Sequence, residues 1–104
     1  DGTACAFCMV GGHGVVSVTS NFAPAEMGTM IRDALDGKNE SANAMHAKLA
    51  PLFDAMFIES NPIPVKTAMA AQGNIQEAFR LPLCEMSTAN REKLMVVLQE
   101  GGWL

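Results

Sequence analysis

The fold of this chain is decided by the stretch Gly14-Val15-Val16-Ser17-Val18-Thr19. β-Branched residues dominate it, Gly11-Gly12 precedes it and Ser20-Asn21 follows it, which is the pattern of a short β-strand. Every other periodic segment favours helix, and a buried strand needs hydrogen-bonded neighbours on both sides. We therefore predict that its partner strands lie outside these 104 residues, in other chains or in a longer folded unit.

Composition places the chain among small globular domains. Its 104 residues are 49% hydrophobic, which is enough for a core, and no run approaches the ~20 apolar residues of a membrane span. No secretory segment is recognisable. The net charge of -4 and the lack of a basic cluster argue against a nucleic-acid surface. We expect a soluble cytoplasmic protein with neither membrane nor nucleic acid among its partners.

The sequence begins at Asp1 rather than Met, and a helical pattern follows almost at once. We therefore expect that these residues are part of a longer chain.

Five segments carry a helical pattern. They run over 3–10, from Pro24 to Gly37, from Asn39 or Ser41 to Phe57, from 61–66 to Gly73, and from Ser87 or Thr88 to Gly101. Asp1 or Thr3 is predicted to cap the first. Pro51 removes a backbone donor and crowds the carbonyl of Ala47, which predicts a kink or a break in the third. Residues 74–86 have no regular spacing of apolar residues, which predicts a connector that lies over the helices. Trp103-Leu104 is expected to pack the C-terminus against its neighbours.

Apolar residues recur on one face of three of these helices. They are Met27, Met30, Ile31, Ala34 and Leu35, then Ala42, Met45, Leu49, Leu52, Phe53, Met56 and Phe57, and finally Leu94, Val97 and Leu98. Regular spacing favours core over a promiscuous methionine-rich binding surface. The predicted order is helix, strand and helix, followed by three more helices. The first three elements are expected near the end of an alternating α/β fold, and the last three suggest an appended helical subdomain.

Three stretches together resemble the C-terminal part of the dihydrodipicolinate synthase family. They are GGHGVVSVTSN at 11–21, ESNPIPVK at 59–66 and RLPL at 80–83. The resemblance implies the C-terminal piece of a (β/α)8 TIM barrel, beginning just after the seventh strand. Residues 1–37 would be the end of the barrel (helix, last strand, helix), and 38–104 a helical C-terminal subdomain. Related pyruvate-dependent aldolases, such as N-acetylneuraminate lyase, look less similar through this segment and stay as an alternative.

The resemblance implies a Schiff-base lyase that condenses pyruvate with aspartate semialdehyde on the route to diaminopimelate and lysine. Such enzymes are usually homotetramers built as dimers of dimers, and we expect no cofactor. Pyruvate is held on a strand-end lysine, while a tyrosine network relays protons. Here the lysines, Lys38, Lys48, Lys66 and Lys93, lie on helices or loops, and there is no tyrosine. We therefore predict no catalytic residue in this chain and inactivity alone, with Lys66 structural or solvated.

One binding position carries over from the family. Val16 corresponds to a residue that lines the pyruvate pocket, and alternation along a strand places Val18 on its face and Val15, Ser17 and Thr19 on the other. An apolar wall there would exclude water from the imine. We expect Val16 to bind pyruvate and Val18 to belong to the barrel core.

The main competing signal is Cys5-x-x-Cys8, whose spacing suits a redox pair or half a zinc site with His13 and Cys84 as further ligands. A redox motif should follow a strand at a helix start, whereas this pair lies inside a short helix, so buried inert thiols and no metal are favoured. His13 is expected to stabilise the strand start, and His46 to lie on a polar helix face in water. A third hypothesis is a non-catalytic interaction subdomain.

Overall fold

The computed structural model describes all 104 residues, and its regular structure is helical throughout. The elements are α1 (Ala4–Met9), a 3-10 turn (Thr19–Asn21), α2 (Pro24–Leu35), α3 (Asn39–Ala55), α4 (Ile63–Ala71) and α5 (Thr88–Glu100). All five predicted helices are present, close to their predicted ends. None of them combines the length and the apolar character that crossing a bilayer requires.

The predicted strand does not form in this chain. Residues 12–17 have no regular secondary structure, and no backbone N–H from His13 to Val18 donates to a backbone carbonyl. A strand is defined by its ladder, and these residues supply no second strand to pair with. Val18 has helical dihedrals, φ −73° and ψ −49°, because the chain already turns there into the 3-10 turn.

This turn also corrects the predicted alternation. Val16 is fully exposed, whereas Val18 is partly buried against the core. Period-two alternation requires extended dihedrals throughout, and Val18 does not have them. The expectation that Val16 and Val18 share one face is therefore wrong for this chain.

Local sequence signals set most helix ends. The first helix, α1, stops where Gly11 takes φ +115°, and a Cβ on Gly12 would lie 2.3 Å from the Phe7 ring. Both positions therefore need glycine. The last helix, α5, is capped by Ser87, whose hydroxyl oxygen accepts a hydrogen bond from the Asn90 N–H at 3.3 Å. This confirms the predicted cap.

The third helix runs through Pro51 without interruption, so of the predicted kink or break the break does not occur. Proline removes one intrahelical hydrogen bond, but Leu49 lies before it and Leu52 and Phe53 lie after it, all buried. Tertiary packing supplies most helical stability in proteins. Burial on both sides of Pro51 therefore keeps the helix continuous.

One core joins all five helices. Its 20 buried apolar side chains include ten of the fifteen residues of the predicted faces, and Ile31, Met45 and Val97 pack against it while partly buried. The second helix packs against α1 and α3, and α5 packs against α3 and α4. Leu35 and Phe57, which lie at or beyond helix ends, are 46% and 53% exposed. Met27, Met30, Met56 and Met86 are buried, which confirms that the methionines mainly fill the core.

The connector and the terminus lie as predicted. Residues 74–86 form no helix, and Phe79 and Leu83 pack against the core while Leu81 is 90% exposed. Trp103 packs edge-on against Phe22, with ring centroids 5.7 Å apart. The C-terminal end is thus pinned to Phe22, two residues before α2.

Candidate functional site

The candidate pyruvate residue lies in the irregular stretch at 12–17, which we call the extended segment. Val16 is fully exposed at its centre, and the neighbouring Val15 is 39% exposed. The segment runs beside the start of α2, with which it forms a groove lined by Gly14, Val15, Ser17, Pro24, Gly28 and Ile31. The extended segment thus presents apolar side chains and unpaired backbone groups to solvent beside α2.

Hydrogen bonds hold the extended segment only near its two ends. At the start, the Gly12 N–H donates to the Phe7 carbonyl at 2.9 Å. At the end, the Thr19 N–H donates to Asp1 Oδ2 at 2.8 Å. The Ser20 N–H donates to Ser17 Oγ at 2.9 Å, and the Ser20 hydroxyl donates to the Ser17 carbonyl at the same distance. The backbone between these ends is free to pair.

Sequence reasoning missed the role of Asp1. Its carboxylate, proposed as a cap for α1, bonds to Thr19 instead, while its backbone carbonyl accepts from the Ala4 N–H at 3.1 Å. Thr3 makes no side-chain cap either. The two residues of the Asp1–Thr19 bond are 18 positions apart, so no local pattern could have indicated it.

Two buried polar atoms lie beside this bond. Thr19 is entirely buried, and neither Thr19 Oγ1 nor Asp1 Oδ1 has a hydrogen-bond partner within the chain. Buried polar groups in folded proteins are nearly always hydrogen bonded. The end of the extended segment therefore has hydrogen-bonding capacity that these 104 residues do not use.

A second carboxylate that the sequence did not single out joins two other elements. Glu59 Oε2 accepts from the Ser87 N–H at 3.1 Å and from Asn90 Nδ2 at 3.2 Å. A negative charge at a helix N-terminus is favourable because the first N–H groups lack intrahelical partners. Glu59, the first residue of the ESNPIPVK stretch, thus ties the connection between α3 and α4 to the start of α5.

Lys66 has a structural environment. Its Nζ donates to the Ala78 carbonyl and lies 5.0 Å from the Phe79 ring centroid. These contacts join α4 to the connector and agree with the structural interpretation of this lysine. Lys48 is likewise placed over the Trp103 ring, 5.5 Å from its centroid.

The thiols lie apart from any cluster of metal-ligating side chains. Cys5 and Cys8 are buried and free, while Cys84 is free and exposed, and no three His, Cys, Asp or Glu side chains converge. Burial raises the pKa of the Cys5 thiol, and the adjacent Cys8 raises it further. Since the thiolate is the nucleophile and the metal ligand, this environment favours inert thiols.

The structure also corrects the expectation for His46. The residue is half-buried, its Nδ1 is buried without a partner, and its ring centroid lies 5.8 Å from that of Phe53. His46 therefore packs against its own helix rather than lying on a solvated face.

Comparison with known proteins places both the sequence and the backbone in one family. The profile of the Dihydrodipicolinate synthetase family matches residues 1–101. The chain is 54% identical over 93 residues to a 4-hydroxy-tetrahydrodipicolinate synthase from Thermodesulfovibrio yellowstonii, covering 89% of this chain and 32% of that protein.

Solved structures agree. A chloride-inhibited dihydrodipicolinate synthase from Acinetobacter baumannii, complexed with pyruvate, is similar at TM-score 0.96 and 36% identity, over 99% of this chain and 35% of that one. A dihydrodipicolinate synthase described as the first monomeric variant is similar at TM-score 0.95 and 42% identity, over 100% and 35%. The chain thus spans about a third of the length of the relatives it matches. Because the family profile covers nearly all of it, the chain belongs to the dihydrodipicolinate synthetase family.

Proposed function

We propose that this chain is the C-terminal part of a Schiff-base lyase of the 4-hydroxy-tetrahydrodipicolinate synthase type, which condenses pyruvate with aspartate semialdehyde in diaminopimelate and lysine biosynthesis. The observation that carries the proposal is the match of nearly the whole chain, in sequence and backbone, to one third of such enzymes. In this proposal residues 1–37 are the end of a (β/α)8 barrel and 38–104 a helical subdomain, in a cytoplasmic enzyme.

The extended segment supports this placement. Its N–H groups from His13 to Val18 have no backbone partners, and the groove beside α2 is lined by apolar and small residues that a neighbouring element could cover. Thr19 Oγ1 and Asp1 Oδ1 are buried without partners. Pairing on both sides as the last strand of a barrel would give the backbone N–H groups their acceptors, and the neighbouring elements of the barrel would cover the groove.

In this placement Val16 lines the pyruvate pocket. The valine is fully exposed in the chain as it stands, so it is available to face a site that other residues complete. A branched apolar side chain next to the imine would keep water away from it, since hydrolysis of the imine releases pyruvate. The similar enzyme from A. baumannii is described in complex with pyruvate, which supports a pyruvate site in this family.

The chemistry itself must come from residues outside this chain. A Schiff base requires a neutral amine that attacks the ketone of pyruvate and expels water. Lys66 and Lys48 are engaged elsewhere, and there is no tyrosine to relay protons. We therefore propose that the chain alone is catalytically silent.

Borohydride reduction with labelled pyruvate tests this silence. Reduction turns an imine into a stable amine, so any Schiff-base lysine becomes covalently labelled. We expect no adduct on this chain, measured by intact-mass spectrometry and label counting. A stoichiometric adduct would contradict the proposal.

Fragment complementation tests the positive side. The chain is mixed with the preceding portion of the protein, and both condensation activity and borohydride-trapped pyruvate are measured. We expect activity only in the mixture, with the adduct on the other piece. Val16→Asp, which places a charge in the proposed apolar wall, should abolish pyruvate trapping, whereas Val96→Asp on α5, at an exposed position, should not. Failure to recover activity while both pieces are soluble would contradict the proposal.

We further propose that the full-length protein is a homotetramer, a dimer of dimers. Phe7 and Val10, on and next to α1, are 60% and 84% exposed, and association would remove this apolar surface from water. A similar protein is described as monomeric, so assembly varies among relatives. Light scattering on the full-length protein gives its molar mass in solution. A monomer at micromolar concentration would contradict the proposed homotetramer.

A further inference from the structure

We propose that Asp1 is a positioning residue for the pyruvate-binding segment. Its carboxylate holds Thr19, two residues beyond the end of the extended segment, and thereby sets where Val16 lies. The inference rests on the proposed function, because it assigns a role to Asp1 at the same site.

The extended segment has few attachments of its own. None of its backbone N–H groups from His13 to Val18 donates to a backbone carbonyl. Two hydrogen bonds tie its ends to residues on other elements: the Gly12 N–H to the Phe7 carbonyl, and the Thr19 N–H to Asp1. Of these two, the Thr19–Asp1 bond has a side-chain acceptor, and it joins residues 18 positions apart in the sequence.

The Asp1–Thr19 bond is built to be strong. A charged acceptor makes a shorter and stronger hydrogen bond than a neutral one, and this bond measures 2.8 Å. Thr19 is entirely buried, so water competes little for its N–H. The bond also lies at the first residue of the 3-10 turn, where backbone N–H groups have no partner within the turn.

The bond connects the segment to rigid parts of the molecule on both sides. The Thr19 carbonyl accepts from the N–H groups of Phe22 and Ala23, both at 2.9 Å, and these two residues are buried in the core just before α2. On the other side, the backbone carbonyl of Asp1 accepts from Ala4, the first residue of α1. The carboxylate thus holds the segment's end between two helices.

Position matters because Val16 would contact pyruvate without reacting with it, so a shift of the valine removes contacts made in the ground state and the transition state alike. Loss of such uniform binding raises KM and leaves kcat nearly unchanged. Val16 lies three residues before Thr19, close enough for the backbone to transmit a shift. Removing the carboxylate should therefore weaken pyruvate binding more than it slows the chemical step.

The test uses the full-length protein that contains this chain. Asp1→Ala removes the acceptor, and we expect the pyruvate KM to rise about tenfold, equivalent to about 1.4 kcal/mol of binding, with a smaller change in kcat. Asp1→Asn keeps an acceptor oxygen in the same place and should restore most of the KM. Asp1→Glu keeps the charge but moves the acceptor by one methylene, and it should raise the KM as well.

The matched control is Glu59→Ala. Glu59 is also a carboxylate that accepts from a backbone N–H at the start of a helical turn, but it serves Ser87 and α5. Its removal should lower the melting temperature while leaving the pyruvate KM unchanged. If Asp1 were only structural, Asp1→Ala would behave in the same way.

An unchanged pyruvate KM in soluble Asp1→Ala would overturn the positioning role. If that variant does not fold, an unchanged KM in Asp1→Glu overturns it equally. A wild-type protein that forms no borohydride-trapped adduct would instead overturn the proposed function, and the positioning role with it, so the two failures are distinguishable.

Discussion

At the scale of single residues, burial rather than residue type decides which polar groups and thiols can act. Cys5 and Cys8 share a spacing that suits metal or redox chemistry, yet both are buried, whereas the lone Cys84 is exposed. Asp1 and Glu59, which no motif singled out, accept backbone hydrogen bonds that join distant elements. Reactivity and structural roles here follow from surroundings that the sequence pattern does not encode.

The thiols provide the first prediction. In the folded chain, Cys84 should react quickly with a disulfide reagent at neutral pH, while Cys5 and Cys8 react only as the chain unfolds. Denaturing the protein should make all three thiols react. Rapid reaction of three thiols in the folded chain would contradict the burial described above.

The Cys5 thiol also predicts a pH dependence of stability. Its pKa is raised in the folded chain, so the unfolded chain loses this proton first as the pH rises. The stabilising effect is complete below the ordinary thiol pKa of about 8.5 and is lost as the pH rises towards the raised value. Urea unfolding between pH 7 and pH 10 should show a larger loss for the wild type than for Cys5→Ala. Equal losses would show that Cys5 does not contribute.

At the scale of elements, helix formation follows apolar periodicity and end signals, and tertiary packing decides the exceptions. Gly11 and Ser87 act at helix ends as their types predict. Pro51 does not break α3, because buried residues on both sides hold the helix together. A local signal is therefore reliable where it agrees with the core and is overruled where it does not.

The last helix offers a direct test of this balance. Leu94 is completely buried, whereas Val96, on the same helix, is 49% exposed. Leu94→Ala should lower the free energy of unfolding by about 2–5 kcal/mol through lost burial and the cavity left behind. Val96→Ala should change it by less than about 0.5 kcal/mol. Both values come from urea denaturation followed by circular dichroism, and similar effects of the two substitutions would contradict the described core.

At the scale of the whole molecule, the chain has one helical core and one edge with unused hydrogen-bonding capacity. The core joins all five helices, while the extended segment carries unpaired N–H groups and the fully exposed Val16. Such an edge is a template for another strand. The molecule is thus helical by its own contacts, and in the proposed barrel this edge would pair with neighbouring strands.

Hydrogen exchange measures this directly. In the chain alone, the amides of residues 13–18 should exchange as freely as in an unstructured peptide, because they have no backbone partners. In the mixture with the preceding portion of the protein they should become protected. Amides inside α2 should be protected in both samples and serve as the control. Protection of 13–18 in the chain alone, without association, would contradict the structure.

The sequence by itself determined the five helices, most of the residues that their faces bury, the family motifs and the absence of tyrosine, since all of these depend on composition or on residues a few positions apart. Only the tertiary structure decided that GVVSVT stays unpaired, that Val18 turns away from Val16, and that Asp1 holds Thr19. The physical reason is that a strand exists only through its neighbours, and a hydrogen bond between residues 18 positions apart leaves no periodic trace in the sequence.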